Sequence, residues 1–229
     1  MKKYEYLLID ADNTLFDFDR CEREAFKIAL NECGVPSSDG IYEEYHLIND
    51  SLWKLLEKGG ITREALKTER YRILFERHGI TDGSHLKVAG AYERALGGQT
   101  FEIEGSFELL KRLFGKVRVF VVTNGLTSVQ SSRFSISRLT PFIEKVFISE
   151  TMGAAKPDPG FFDGVIGEIG DGDLSKYLVV GDSPSSDIDG AIRYGIDSCW
   201  FSPHGGDCDG RRPTYVIGEL AELDGILGL

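Results

Sequence analysis

Short apolar runs and amphipathic stretches alternate along much of the chain, and this alternation predicts a sheet interleaved with helices. Six runs rich in β-branched and apolar residues predict strands at 4–10, 117–122, 145–149, 177–181, 198–201 and 214–217. Apolar residues at three- and four-residue spacing predict helices at 105–114, 127–138, 159–169 and 185–194, with a further helix closing the chain. Strands that alternate with helices favour a parallel sheet covered on both faces.

Residues from about 20 to 97 follow a different pattern, because no strand-like run interrupts their helical periodicity. Amphipathic stretches follow one another there and end on glycines, at Gly34, Gly59, Gly79 and Gly97. We therefore predict an α/β fold, with a Rossmann-like three-layer α/β/α core, a parallel sheet and an inserted helical cap domain. The predicted core comprises 1–17 and 98–229, and the predicted cap comprises 18–97.

Composition and charge narrow the class of protein. The 229 residues are 41% hydrophobic and 28% charged, which is ordinary for a globular protein. A net charge of −11 argues against a nucleic acid polymer or an anionic membrane as partner, since both call for a basic face. The N-terminus lacks the apolar region of a signal peptide, and the four cysteines show no CxxC spacing. We expect a cytoplasmic protein with free thiols.

The residues that follow the predicted strands carry the candidate chemistry. In doubly wound sheets, ligands bind at the carboxyl ends of the strands. The polar residues at those ends are Asp10, Asp12, Thr123, Asn124, Gly125, Lys156, Asp182 and Asp187. We expect them to meet at one edge of the sheet.

Grouped carboxylates next to a buried strand require a compensating charge, because removing an ionised group from water is costly. Carboxylate and carbonyl oxygens are the ligands that Mg²⁺ prefers. We therefore predict a Mg²⁺ cofactor held by Asp10, Asp12, Asp182 and Asp187, with Lys156 as a further positive charge. Asp187 has an alternative role, since an acid at that position also favours a helix N-terminus.

Such a site suits phosphoryl transfer, because a metal ion and a lysine together screen a phosphate from a carboxylate nucleophile. Asp10 is the predicted nucleophile, forming an aspartyl-phosphate, and Asp12 is the predicted general acid and base. The turn at 123–125 can offer the Thr123 hydroxyl and the backbone N–H groups of Asn124 and Gly125 to phosphate oxygens. Gly125 would permit a left-handed backbone there.

Two aromatic residues, Phe16 and Phe18, lie where the chain leaves the first strand for the helical insert. We predict that they face the substrate, with burial in the core as the alternative.

Four segments contain these strand-end residues, in the order "DADNTLFDF", "VTNG", "AKPDPGFF" and "VVGDSPSSDI". They resemble the four motifs of the haloacid dehalogenase-like phosphohydrolase superfamily. The resemblance implies Asp10 as nucleophile, Asp12 as acid and base, Thr123 and Lys156 as phosphate ligands, and Asp182 with Asp187 at the metal. It also implies that the Asp12 backbone carbonyl is a metal ligand.

Within that superfamily the chain is most similar to 5′-nucleotidases acting on pyrimidine and noncanonical nucleoside monophosphates. The residues that carry this likeness are "DADNTLFDF", "INDSLWKLLEKGGIT", "TNGLTSVQSSRF", "FISETMGAAKP" and "DSCWF". The chain departs from the group at Arg193-Tyr194, where Asn-Ala is usual, and in carrying Gly164 and Gly167. The expected function is Mg²⁺-dependent hydrolysis of a nucleoside monophosphate, a small phosphorylated metabolite.

Other functions fit the same residues to different degrees. A haloacid dehalogenase would need neither a metal nor a second acid, so Asp12 and the lysine argue against it. A phosphatase or phosphomutase for a sugar phosphate or phosphoglycolate would use the same acids and stays open. A non-catalytic module binding nucleotides or another protein would be favoured by loss of Asp10 or Asp12, and both are present.

Overall fold

The protein's structure, a computed structural model, describes residues 4–36 and 39–229. The Cα positions divide the chain into two compact units, Met1–Asp19 with Thr100–Leu229 and Arg20–Gln99. The predicted boundaries lie within two residues of these at each junction.

The first unit contains a six-stranded parallel sheet. Its strands are β1 (Tyr6–Ile9), β2 (Arg118–Thr123), β3 (Lys145–Ile148), β4 (Tyr177–Gly181), β5 (Asp197–Phe201) and β6 (Tyr215–Ile217). Their spatial order is β3-β2-β1-β4-β5-β6, and every neighbouring pair is parallel. The predicted α/β fold class is confirmed.

Helices cover both faces of the sheet. Successive strand residues point to opposite sides, so the mostly apolar strands present an apolar surface on each face. In β1, Leu7 and Ile9 belong to one buried cluster, which includes Leu109 and Leu110. Leu8 belongs to the other cluster, with residues of the helix at Pro159–Ile169. The helices of this unit are α5 (Ser106–Leu113), α6 (Thr127–Ile136), α7 (Ser149–Met152), α8 (Pro159–Ile169), α9 (Asp189–Tyr194) and α10 (Leu223–Leu227).

The sheet register places the carboxyl ends of three central strands side by side. Ile9 at the end of β1 pairs with Val121 of β2 and with Val180 of β4. The Asp10 backbone N–H then donates to the Val180 carbonyl at 2.8 Å. The residues that follow these strands are therefore neighbours in space although they are distant in sequence.

Two local predictions need correction. The helix predicted at 185–194 begins as a π-helical segment, Pro184–Ile188, and continues as α9. The N–H groups of Asp187 and Ile188 both donate to the Ser183 carbonyl, so this turn is wider than an α-helical one. Ser149, predicted as the end of the third strand, starts the short helix α7.

The second unit is helical, as its periodicity indicates. It contains most of α1 (Phe18–Glu32), and α2 (Asp39–Glu57), α3 (Arg63–Arg77) and α4 (Ser84–Gly97). Tyr45 stacks on Phe26 from one helix and on Tyr71 from another, with ring centroids 4.4 and 5.3 Å apart.

Neither a disulfide nor a membrane span is found in the part of the chain that the structure describes. All four cysteines are free, as expected. Among the helices within 4–36 and 39–229, none is long and apolar enough to cross a membrane.

Candidate active site

The buried side chain of Lys156 is bonded to residues that lie near or after the ends of three strands. Lys156 Nζ donates to Asp10 Oδ1, to Asp187 Oδ1 and to the carbonyl of Val122, each at 2.6 Å. The Lys156 side chain is 1% exposed. Burial opposes the charged form of an amine, but the carboxylates of Asp10 and Asp187 outweigh it and hold the pKa of Lys156 above its usual value. Lys156 is therefore a fixed positive charge beside Asp10.

Three carboxylates at these strand ends form a group that could hold a divalent cation. Asp10, Asp182 and Asp187 each offer one oxygen, and these oxygens lie within 4.8 Å of one another. Oxygens on opposite sides of a Mg²⁺ ion would be about 4.2 Å apart at ordinary coordination distances. Three carboxylates against one ammonium leave two negative charges uncompensated, which matches the charge of Mg²⁺. Donor type and charge fit this ion, and the oxygens would have to approach one another only slightly to coordinate it.

Electrostatics around the same group favour a bound cation. Burial, reinforced by the neighbouring Asp187, raises the pKa of Asp182 to about 7. Burial also raises the pKa of Asp10, although Lys156 opposes that shift. Without a cation Asp182 therefore takes up a proton near neutral pH, and the ionised form of Asp10 is also disfavoured.

The Asp12 side chain contacts helix α6. Gln130 Nε2 donates to Asp12 Oδ2 at 2.7 Å, and Arg133 Nη1 donates to Asp12 Oδ1. The Arg133 side chain is fully buried, whereas that of Asp12 is 25% exposed. Asp10 and Asp12 are thus two residues apart but are paired with different cations, Lys156 and Arg133.

In the turn after β2, the Thr123 hydroxyl oxygen accepts hydrogen bonds from the Gly125 N–H at 3.0 Å and from Gln130 Nε2 at 3.2 Å. Because both bonds use its oxygen as acceptor, the hydroxyl hydrogen is left to donate. This arrangement suits the predicted role of Thr123 as a phosphate ligand.

For the next two residues, the phosphate-binding role of the Asn124 backbone N–H stays a prediction, and the left-handed backbone predicted for Gly125 is wrong. The Asn124 side chain bonds both the N–H and the carbonyl of Lys156, at 3.0 and 2.8 Å, so it anchors that residue's backbone. The Gly125 N–H is already bonded to Thr123, and Gly125 is not among the positive-φ residues. Glycine is needed here for space, because a Cβ would lie 2.3 Å from Gln130 Nε2.

Phe16 does not face a substrate. It is fully buried in the core cluster, its ring centroid lies 5.2 Å from that of Phe134, and the Arg133 guanidinium lies 4.2 Å above it. The apolar environment of the strand explains this burial, so the alternative of a core residue is correct. Phe18, the first residue of α1, is only partly buried, and its role stays a prediction.

Asp187 does not cap the helical turn that it occupies. Ser183 has that role, since its side chain accepts from the Ser186 N–H. Asp187 is buried and accepts instead from Lys156 and from the Ser183 N–H. Gly181 makes this approach possible, because a Cβ there would lie 2.2 Å from the Asp187 carboxylate.

Sequence reasoning missed several residues that shape the site. Gln130 and Arg133 fall with Val129 and Phe134 on the buried side of α6, so a polar pair on an apolar stripe was the available signal. Trp200 Nε1 donates to the Asp182 carbonyl at 2.8 Å, and nothing in its local sequence indicates this contact.

Comparison with known proteins agrees with this geometry. A family model for haloacid dehalogenase-like hydrolases matches residues 7–201. This match spans most of the chain, from the first strand to the fifth. The chain belongs to the haloacid dehalogenase-like hydrolase family.

Individual relatives cover nearly all of the chain. Pyrimidine 5′-nucleotidase PynA from Streptococcus pneumoniae is 35% identical, over 96% of this chain and 93% of its own. Pyrimidine 5′-nucleotidase YjjG from Escherichia coli is 30% identical, over 98% of both chains. The magnesium-bound crystal structure of the HAD-hydrolase YfnB from Bacillus subtilis has a TM-score of 0.93 and 32% identity, over 100% of both chains.

These comparisons confirm the predicted superfamily and the class of enzyme, a hydrolase. The predicted magnesium cofactor agrees with the ion in the YfnB structure and with the carboxylate group at this site.

Proposed function

We propose that this protein is a magnesium-dependent phosphomonoesterase whose preferred substrates are nucleoside 5′-monophosphates, pyrimidine ones among them. The observation that carries the proposal is the separate pairing of Asp10 and Asp12. Lys156 holds Asp10 beside the carboxylate group, while Gln130 and Arg133 hold Asp12. Two carboxylates in such different surroundings can take two different chemical roles.

In the first step, an Asp10 carboxylate oxygen attacks phosphorus and the bond between phosphorus and the ester oxygen breaks. The leaving oxygen keeps the bonding electrons and takes a proton from Asp12, which gives a nucleoside and an aspartyl-phosphate. In the second step, water attacks the phosphorus and passes a proton to Asp12. The bond between phosphorus and Asp10 breaks, which releases inorganic phosphate and restores both carboxyl groups.

The remaining residues bind and orient the phosphate. The Thr123 hydroxyl would bond one of its oxygens. All three Lys156 ammonium hydrogens are bonded within the protein, so Lys156 would act on the phosphate through its charge. Asn124 fixes the Lys156 backbone. Asp10, Asp182 and Asp187 would hold Mg²⁺, together with the Asp12 backbone carbonyl. When bound, the ion offsets the negative charge that otherwise keeps a phosphate away from Asp10.

The preference for nucleotides draws on the relatives, since PynA and YjjG are both named as pyrimidine 5′-nucleotidases and match nearly the whole chain. An anionic substrate fits a chain of net charge −11 only if the attraction is local. A Mg²⁺ ion bound by the three carboxylates beside Lys156 would offset their remaining negative charge.

A phosphate-release screen with added Mg²⁺ tests the proposal. Uridine, deoxyuridine and thymidine monophosphates are compared with sugar phosphates and phosphoglycolate, and the Asp10→Asn variant is the control. We expect the nucleotides to be hydrolysed fastest and the variant to be inactive. Equal rates for all esters would contradict the nucleotide preference, and an active variant would contradict the nucleophile.

A further inference from the structure

Both oxygens of the Asp12 carboxylate are bonded from one side by helix α6. Gln130 Nε2 lies 2.7 Å from Oδ2, and Arg133 Nη1 is bonded to Oδ1. A carboxylate oxygen accepts more than one hydrogen bond, so each oxygen keeps a lone pair for a further partner. Helix α6 therefore fixes the orientation of the Asp12 carboxylate and leaves each of its oxygens able to accept a further hydrogen bond.

Gln130 links this carboxylate to the phosphate-binding turn. Its Nε2 also lies 3.2 Å from Thr123 Oγ1, and one amide nitrogen has two hydrogens for the two acceptors. The amide orientation follows from chemistry, because the opposite one would place a carbonyl oxygen against a carboxylate. Gln130 Oε1 is buried without a hydrogen-bond partner among the described residues. The two N–H groups of the amide therefore make the hydrogen bonds that hold Gln130 in place.

The residues around Gln130 and Arg133 restrict the positions of both side chains. Gly125 leaves room for the Gln130 amide, since a Cβ would lie 2.3 Å from Nε2. The Arg133 guanidinium lies 4.2 Å from the centroid of the Phe16 ring, a cation–π geometry on a residue that is itself fully buried. Arginine and glutamine at this depth require polar partners, and Asp12 is the acceptor that both share.

We propose that Gln130 and Arg133 are positioning residues, which aim the Asp12 carboxyl group at the ester oxygen and, in the second step, at the attacking water. The inference rests on the proposed function and goes beyond it, because it assigns to both residues an action through Asp12. It concerns proton transfer to the leaving group, so its consequences depend on how much the leaving group needs a proton.

Two phosphate esters separate this role from a structural one. p-Nitrophenolate leaves readily without a proton, whereas the 5′-oxygen of uridine monophosphate does not. In Arg133→Gln we expect the first-turnover rate to fall about 100-fold with uridine monophosphate and less than about fivefold with p-nitrophenyl phosphate. The variant should give a burst of nitrophenolate followed by slow turnover, because the second step still requires Asp12.

Further variants guard against simple misfolding. Arg133→Lys keeps a cation and should recover part of the uridine monophosphate rate, and Gln130→Met keeps length without donors and should show the same selective loss. Arg118→Gln is the matched control, because Arg118 forms an exposed pair with Glu144 outside the site. We expect its rates to match the wild type for both esters.

A double-mutant cycle supplies the second readout. With Asp12→Asn already in place, Arg133→Gln should cost less than about threefold further with uridine monophosphate, because residues that act through one another are not additive. Equal losses for the two esters, or full additivity with Asp12→Asn, would overturn the inference while leaving the phosphatase function standing. A wild-type protein inactive on both esters would overturn the proposed function and this inference together.

Discussion

The Lys156 ammonium lies 2.6 Å from the Asp10 carboxylate, although 146 positions separate the two residues in sequence. The parallel register brings them together, since Asp10 follows β1 and Lys156 reaches back to the carbonyl of Val122 in the adjacent strand. Lys156 also bonds Asp187, so one ammonium serves two buried carboxylates. The site is consequently sensitive to the loss of this single charge.

Replacing Lys156 with methionine should destabilise the metal-free protein by about 3 kcal/mol, because breaking a buried ion pair leaves uncompensated charge. Urea unfolding without Mg²⁺ measures this loss. Added Mg²⁺ should reduce the difference from the wild type, since a dication replaces the missing positive charge. Lys145→Met is the control, because Lys145 pairs with Glu168 at an exposed position and should cost less than about 1 kcal/mol. Equal losses in the two variants would contradict the account.

Magnesium affinity should depend on pH through Asp182. Metal ligands must be deprotonated, and the pKa of Asp182 is raised to about 7 in the metal-free protein. At a pH above this pKa the Asp182 carboxylate is ionised, and the affinity for Mg²⁺ should be nearly constant. At a lower pH a proton must leave Asp182 before Mg²⁺ can bind, so the affinity should fall. Calorimetric titration at about pH 8 and about pH 6 should show Mg²⁺ binding about tenfold weaker at the lower value. Mg²⁺ binding that is equal or tighter at the lower pH would show that protons and Mg²⁺ do not compete for Asp182.

Magnesium should stabilise the folded protein, and Asp182→Asn should remove most of that effect. A ligand at 100 times its dissociation constant adds about 2.7 kcal/mol to the free energy of unfolding. Thermal unfolding with and without Mg²⁺ gives the shift for the wild type, the variant and a control, Asp50→Asn. Asp50 is exposed and pairs with Lys54 in the helical unit, so its variant should keep the full shift. An undiminished shift in Asp182→Asn would place the ion elsewhere.

Alanine should lower activity at Gly125 but not at Gly167. Gly125→Ala should lower activity more than about tenfold, because its Cβ would displace Gln130 from Asp12 and Thr123. Gly167→Ala should leave activity unchanged and stabilise the protein by about 0.5–1 kcal/mol, since Gly167 lies inside α8 with nothing near its added Cβ. Steady-state kinetics and urea unfolding of both variants check these expectations. A fully active Gly125→Ala enzyme would show that Gln130 need not stay in place.

The sequence predicts the strand-end residues well for a physical reason. Parallel strands end at a common edge, so Asp10, Thr123 and Asp182 could be brought together from strand positions alone. Contacts made by side chains along a helix are harder to predict. Periodicity separates a buried helix face from an exposed one, but it does not identify the residues that each side chain will contact. Gln130 and Arg133 were therefore missed, although they lie on the buried side of α6.

Two further errors have local causes. Phe16 was predicted to face a substrate because it precedes the helical insert, but the isolated bridges that it forms with Asp12 and Glu102 keep it beside the sheet and inside the core. Gly125 was explained by backbone conformation, whereas its role is to make room for a side chain five positions later. Both depend on packing across the fold, which a single sequence does not specify.

The most direct test is to trap the phosphorylated enzyme. Wild-type protein with Mg²⁺ and uridine monophosphate is quenched in acid during turnover, and its peptides are mapped by mass spectrometry. The account predicts one added phosphoryl group on the peptide carrying Asp10, and none in Asp10→Asn. A phosphoryl group on another residue, or turnover by Asp10→Asn at the wild-type rate, would contradict it.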